Sequence, residues 1–201
     1  MTPLRVSVFI SGRGSNLQAL IGACAAEACR AEVVLVISSH AEAPGLDFAA
    51  AAEPLLLEHK VELICLAGFM RVLDPSFVEA WRDRMVNIHP SLLPAFRGLH
   101  AQRQALAAGV RFAGCTVHFV RPELDCGPII GQAVVPVHAD DDEAALATRI
   151  LAVEHRLYPL ALRLIAERRV RVVSERVEIV SARAPVVTAL NPQDCPGDAL
   201  A

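Results

Sequence analysis

Asn87 and His89 stand two residues apart in the short strand-like run Met85–His89, so their side chains leave the same face. An amide that stays neutral and an imidazole that can carry charge near neutral pH together suit the stabilisation of an oxyanion. Pro90 and Pro94, in the continuation NIHPSLLP, restrict the chain that leaves the pair. A third group, Asp125, lies in the turn LDCGPI between two strand-like runs. Beside an imidazole it would favour the protonated ring and relay a proton. Taken singly, each motif has a plain structural reading, Asn-x-His as a hydrogen-bonded pair and Asp-x-Gly as a turn. The chemistry requires that Asp125 face His89.

A second candidate is Ser11-Gly12-Arg13-Gly14-Ser15-Asn16, between a strand pattern and a helix pattern. Glycines let backbone N–H groups turn towards an anion, and a helix N-terminus favours negative charge, so a phosphate is the natural guest. No Gly-Lys-Ser/Thr follows, which excludes a P-loop. Leu17 stands where the dinucleotide fingerprint has its third glycine, and Ser38-Ser39 end the next strand without a ribose-binding acid. Dinucleotide-dependent redox chemistry is therefore disfavoured, and a serine-capped tight turn is the plain alternative. His118 interrupts an apolar strand and reads as a core or supporting residue. His40, His59, His138 and His155 lack ligand spacing with cysteines or with one another, so no metal site is expected. Cys24, Cys29, Cys65, Cys115, Cys126 and Cys195 form no CxxC pair and are expected as reduced thiols.

The elements that must position these groups follow from hydrophobic spacing. Leu4–Ile10 alternates as a strand, and Leu17, Leu20, Ile21 and Cys24 recur at helical spacing. Glu32–Ile37 is a β-branched run that reads as a strand buried on both faces, and Glu62–Ala67 as another. Between them Asp47–His59 reads as a helix broken or kinked at Pro54. This β-α-β-α-β succession predicts a parallel sheet with right-handed crossovers. Asp74-Pro75 starts a helix reaching about Arg84, and Leu99–Ala108 is a helix stopped by Gly109. Gly114–Val120 and Ile129–Val137 are strands; acidic residues 140–143 open a long helix that Pro159 bends or divides. Val170–Val180 reads as a hairpin, and the segment after Ala184 as a loose tail.

Of the 201 residues 54% are hydrophobic and 20% charged, with a net charge of −3, so the chain is globular and has no general attraction for nucleic acid or an anionic membrane. It has no uncharged apolar run of about 18 residues and no signal-peptide pattern at MTPLRVSVFISG, which points to a cytoplasmic protein.

The segments SGRGSNLQALI, LAGFMRVL, NIHPSLLPAFRGLHAQRQAL, TVHFVRPELDCGPII and EHRLYPLAL, spread in this order over residues 4–170, resemble the glycinamide ribonucleotide (GAR) transformylase branch of the folate-dependent formyltransferases. The resemblance implies a formyltransferase fold: a largely parallel twisted α/β sheet flanked by helices, with a Rossmann-like N-terminal half. It implies one domain over 1–184, a phosphate-binding half 1–84 and a catalytic, folate-binding half 85–184, followed by a tail over 185–201. It places the catalytic trio on Asn87, His89 and Asp125, with His118 in support. Gly12, Arg13, Gly14, Ser15, Asn16, Gly68 and Glu154 would bind GAR. Met70, Arg71, Val72 and Leu73, together with Arg121, Pro122, Glu123 and Leu124, would enclose the pterin. The implied reaction moves a formyl group from 10-formyltetrahydrofolate to the amine of GAR in purine biosynthesis, with no metal and no nucleic-acid or membrane partner; a homodimer is left open. The alternatives are a formyltransferase acting on another amine, such as an amino sugar nucleotide, and a binding relative with impaired turnover.

Two departures stand out. Family members usually carry a further strand and helix between Ser39 and the LAGFM segment, including an arginine that contacts the folate tail; here one Ala-rich segment takes that place, so the sheet is expected to be short at one edge. Cys126 stands where a glycine commonly follows the aspartate, a restriction on the loop if that position needs positive φ.

Overall fold

The computed structural model describes residues 2–26, 29–39, 45–183 and 189–191. In chain order the elements are β1 (Leu4–Ile10), α1 (Ser15–Cys24), β2 (Ala31–Ser38), α2 (Gly45–Glu58), β3 (Leu63–Leu66), α3 (Pro75–Ala80) and β4 (Met85–His89). Then come α4 (Ala101–Ala107), β5 (Phe112–Phe119), β6 (Ile129–Pro136), α5 (Glu143–Ala166), β7 (Val170–Val173) and β8 (Arg176–Ile179). Six strands form one sheet in the order β2-β1-β3-β4-β5-β6, and β7 and β8 pair as a separate hairpin. Neighbours from β2 to β4 are parallel, and β4-β5 and β5-β6 are antiparallel.

Alternation along the strands sends apolar side chains to both faces of the sheet. Val6, Val8, Cys65, Val86, Ile88 and Val117 pack with Leu20 of α1 and Leu146, Ile150 and Tyr158 of α5. On the opposite face Phe9, Ile64, Leu66 and Met85 pack with Ala52 and Leu56 of α2 and Phe77 and Val78 of α3. The Tyr158 hydroxyl donates to the carbonyls of Leu66 and Val86 (3.0 and 3.2 Å), tying α5 to β3 and β4. Asn87 and His89 share the face of Met85, at the carboxyl end of β4.

Helix signals behave as the residues dictate. Asp74 caps α3 by accepting from the Ser76 N–H (2.8 Å), with Pro75 in the first turn, and Asp142 caps α5 by accepting from the Ala145 N–H (2.7 Å). Three expectations are corrected. First, α3 ends at Ala80, short of Arg84, and Asp83 adopts φ +57° in the turn that follows. Second, α2 and α5 run through Pro54 and Pro159 without a break, since each proline removes one N–H while the helix stays packed on the sheet. Third, β2 is not buried on both faces: it is the edge strand, and Val36 is 42% exposed. A β-branched run is equally compatible with an edge position, and no further strand lies outside β2 among the described residues. His40, Cys195 and most of the expected tail lie outside the described residues. Within them, no helix is long and apolar enough to cross a membrane.

Candidate active site

β4 is the strand at which the sheet changes from parallel to antiparallel. Its register sets Asn87 beside Leu66 of β3 and opposite His118 of β5, and sets His89 opposite Thr116. Directly opposed residues of an antiparallel pair project to the same side, so Asn87, His89, Thr116 and His118 form one patch. Asp125 reaches that patch from the β5–β6 connection, next to a register shift between Val117 and His118. Its carboxylate lies 3.4 Å from His89 Nδ1 and 3.8 Å from His118 Nε2, with the Asp125 and His89 side chains only 6% and 8% exposed. The geometric condition set by the sequence is met.

Hydrogen bonds fix how the two rings stand. His118 Nδ1 faces the Phe119 carbonyl (2.9 Å), so that nitrogen carries the hydrogen and Nε2 accepts from the Asn87 amide at 3.3 Å. Burial pushes the His118 imidazole down from its ordinary value, which favours the neutral ring. His89 has an acceptor at each nitrogen: the Phe96 carbonyl at Nε2 (2.9 Å) and Asp125 at Nδ1. Satisfying both takes two N–H groups, which the imidazolium supplies.

The segment after His89 is held by groups that the motifs do not single out. Thr116 Oγ1 donates to the Ser91 carbonyl (2.7 Å) and accepts from the Leu93 N–H (3.1 Å). Gln132 Nε2 donates to the Leu93 carbonyl (2.9 Å), and Ser91 Oγ to the Ala95 carbonyl (2.6 Å). The Gly98 N–H donates to Asp125 Oδ2 (2.8 Å), joining the two loops that flank the site. Thr116, polar like His118 within a mostly apolar strand, is the one sequence signal for this support; Gln132 and Gly98 give none.

At the next strand ends, Gly14 caps α1 in the left-handed region (φ +73°) with no side chain bonded to the first-turn amides. Those N–H groups stay available to an anion, with Gly12 and Arg13 exposed beside them. Asn16 Nδ2 donates to Glu154 Oε2 (2.7 Å), bridging α1 to α5, while Asn16 Oδ1 is buried without a partner. Burial pushes the Glu154 carboxyl up, and the Asn16 hydrogen bond partly offsets this. Ser11 Oγ shares a hydrogen bond with Ser39 Oγ (2.6 Å) and accepts from the Met70 N–H (3.0 Å), so the 67–74 loop sits over the end of β1. Gly68 turns that loop at φ +68° with open space where a Cβ would stand.

Met70 and Val72 are 70% and 81% exposed and Leu124 is 60% exposed, an apolar rim on the two loops beside the trio. Arg71 is half-buried, with Nη2 buried and unpartnered. Leu73 instead packs in the core with Phe77 and Trp81, so only its backbone is offered to the rim. The Arg121 side chain also turns away, to Asp83 and Glu175, whereas Pro122 and Glu123 are exposed. Positive φ falls on Asp125 (+51°), not on Cys126, so the cysteine is accommodated where glycine was expected. Among the described residues no group of three or more His, Cys, Asp or Glu side chains is placed to hold a metal ion.

The family profile described as Formyl transferase matches residues 4–56 and 48–162. The chain belongs to the formyl transferase family. Its two matching stretches share residues 48–56, so α2 is aligned on both sides of a break. The trifunctional purine biosynthetic protein adenosine-3 of Drosophila pseudoobscura pseudoobscura is 49% identical to this formyl transferase over 195 aligned positions, covering 85% of the chain and 14% of that much longer protein. Since 85% of 201 residues is about 171, roughly two dozen of those positions face a gap here, the size of a strand and a helix. The phosphoribosylglycinamide formyltransferase of Escherichia coli K12 is 41% identical over 191 positions, covering 84% of this chain and 90% of that enzyme. The crystal structure of glycinamide ribonucleotide transformylase 1 from Symbiobacterium toebii superposes with a TM-score of 0.82 at 46% identity, covering 88% of this chain and 94% of that one.

Proposed function

We propose that this formyl transferase carries the formyl group of 10-formyltetrahydrofolate to the amine of GAR. The observation that carries the reading is the meeting of Asn87, His89 and Asp125 at the carboxyl end of β4, two strands from the uncapped α1 N-terminus and the Asn16–Glu154 pair. The names of the Escherichia coli and Symbiobacterium toebii relatives support it.

In this reading the α1 amides, with Gly12 to Asn16, hold the ribonucleotide phosphate, and Glu154 accepts from the ribose hydroxyls. The glycinamide end passes Gly68 towards His89. The pterin sits between Met70–Leu73 and the Arg121–Asp125 loop, whose exposed apolar side chains await a flat ring. The amine attacks the formyl carbon and a tetrahedral oxyanion forms. Asn87 Nδ2–H donates to that oxygen, the positive charge of the protonated His89 ring beside it offsets the developing negative charge, and His118, neutral and fixed, holds the Asn87 amide in place. Asp125, through a water, takes the proton that the attacking nitrogen must lose and returns one to N10 as the C–N10 bond breaks. The formyl carbon ends on the GAR nitrogen and N10 leaves protonated. The chain after His89 is held by Thr116 and Gln132, and Asp125 by the Gly98 N–H, before substrate arrives.

The test is a spectrophotometric formyl-transfer assay with a 10-formyl folate, with and without GAR. Formylated GAR appearing only when GAR is present is the expected result. Deformylation of the folate at the same rate without GAR makes the chain a hydrolase and overturns the proposal, as does turnover with an amino sugar nucleotide in place of GAR.

A further inference from the structure

Arg121 opens the loop that ends at Asp125, and its side chain is only 8% exposed. The guanidinium is gripped from two sides. Nη2 donates to Asp83 Oδ1 (2.7 Å) and Nε donates to Glu175 Oε2 (2.8 Å), while Nη1 donates to the Val120 carbonyl (3.0 Å). Glu175 belongs to the C-terminal hairpin, far from the sheet in sequence, and its Oε1 also accepts from Arg82 Nη2 at 2.6 Å.

The hairpin turn makes this contact unusual. Val173 pairs with Arg176, so Ser174 and Glu175 are a two-residue turn, and their φ angles are +49° and +57°. Such a turn favours Asn-Gly, because left-handed backbone is unfavourable for residues with larger side chains. Here the position suited to glycine carries a glutamate whose carboxylate reaches out of its own element to two arginines. Strain kept where the side chain serves a distant segment is a sign of function. Glu175 and Asp83 are 55% and 46% exposed, so the two pairs order the nearly buried guanidinium rather than the carboxylates.

We infer that Glu175 is a positioning residue for the folate-facing loop: by fixing the Arg121 guanidinium, the C-terminal hairpin sets where residues 122–125 stand relative to His89. The inference rests on the reading that this loop meets the folate. Glu175 touches no reacting group. Without it, Arg121 Nε is left unpartnered in a nearly buried site while Asp83 holds one nitrogen, and the guanidinium must shift to regain a partner. The backbone at Arg121 shifts with it, and the loop follows.

Glu175→Gly separates this role from a structural one, because glycine relieves the turn while removing the carboxylate. Expected are a Tm within a few degrees of wild type, since relief at the turn offsets the partner that Arg121 loses, roughly tenfold faster exchange of the Gly98 amide, whose bond to Asp125 reports where the loop stands, and a KM for 10-formyl folate raised roughly fivefold with the KM for GAR within about twofold. In an Arg121→Gln background the same change should add nothing further. Unchanged exchange overturns the inference, as does faster exchange with an unchanged folate KM, or a parallel rise in both KM values. If the wild type formylates no GAR, the functional reading fails on its own, and the exchange comparison then decides whether the hairpin holds the loop.

Discussion

Replacing Asp125 by Asn removes one charge and little else. Asn tolerates the left-handed backbone at φ +51° as well as Asp does, and its side-chain oxygen can still accept from the Gly98 N–H. What is lost is a carboxylate 3.4 Å from His89 Nδ1. The general acid–base contribution of a positioned carboxylate runs from about 10²- to 10⁴-fold. The middle of that range is a kcat lowered by about three orders of magnitude, or roughly 4 kcal/mol in the barrier. In the proposed reading GAR is held by Asn16, Glu154 and the α1 amides, none of which contacts Asp125, so its Kd by calorimetry should stay within about twofold. The assay is initial-rate deformylation of a 10-formyl folate at saturating GAR, with thermal unfolding as a check on the fold. A variant that keeps more than about a tenth of the wild-type kcat refutes the proton-transfer role. A loss of GAR affinity matching the loss of rate would show instead that the two ends of the site are not independent.

Glu154→Gln should raise the KM for GAR roughly 10- to 100-fold, the value of hydrogen bonds to a charged group, with a much smaller change in kcat. Because burial raises the Glu154 carboxyl in the folded state, the folded chain holds that proton to higher pH than the unfolded one. This group therefore favours folding most below its ordinary value of 4.5 and loses that contribution as pH rises through the raised value. At pH 7 the Gln variant should melt no lower than wild type; a clear drop in Tm would contradict the sign. Asp141 behaves oppositely: two hydrogen bonds from Arg149 hold it at about 2, so its contribution is full above its ordinary 3.8 and vanishes as pH falls towards 2. Arg149→Met should move the acid-unfolding midpoint upward, as followed by circular dichroism. Gly127→Ala would put a Cβ 1.7 Å from the Phe119 carbonyl oxygen. It should cost about 1–3 kcal/mol in urea unfolding, and unchanged stability would mean that the loop moves freely.

Much of the site is legible in the sequence because its groups come from short motifs with fixed periodicity. Asn87 and His89 share a face through strand alternation alone, and Gly109 marks a helix end where the sequence places it. The link between Asp125 and His89 is not legible without the resemblance, since nothing local brings residues 36 apart in sequence into one patch; the antiparallel return of β5 and β6 does that. The position of β2 is not legible either, because β-branched residues suit centre and edge strands alike. The resemblance assigns Arg121 to the pterin by its place in the loop, yet the Ser-Glu turn that claims its side chain looks like ordinary hairpin sequence. Leu73 misleads in the same way, because one residue of drift along a loop turns a side chain from rim to core.

The placement of β2 bears on how much of such a sheet is dispensable. From β2 to β4 there are three strand spacings, about 14 Å, with β1 and β3 between them. A parallel sheet is assembled from strand–helix units, and removal of one at the margin leaves the register of the others unaltered, because each strand is aligned by its immediate neighbours. Asn87, His89 and Asp125 lie away from that margin, where the sheet turns antiparallel. The molecule thus has one margin at which its length can change in whole units and another at which a single-residue slip would scatter the trio to opposite faces. Trimming and growth of this chain are therefore best tolerated on the β2 side, whereas shortening between β4 and β6 would part Asn87 and His89 from Asp125.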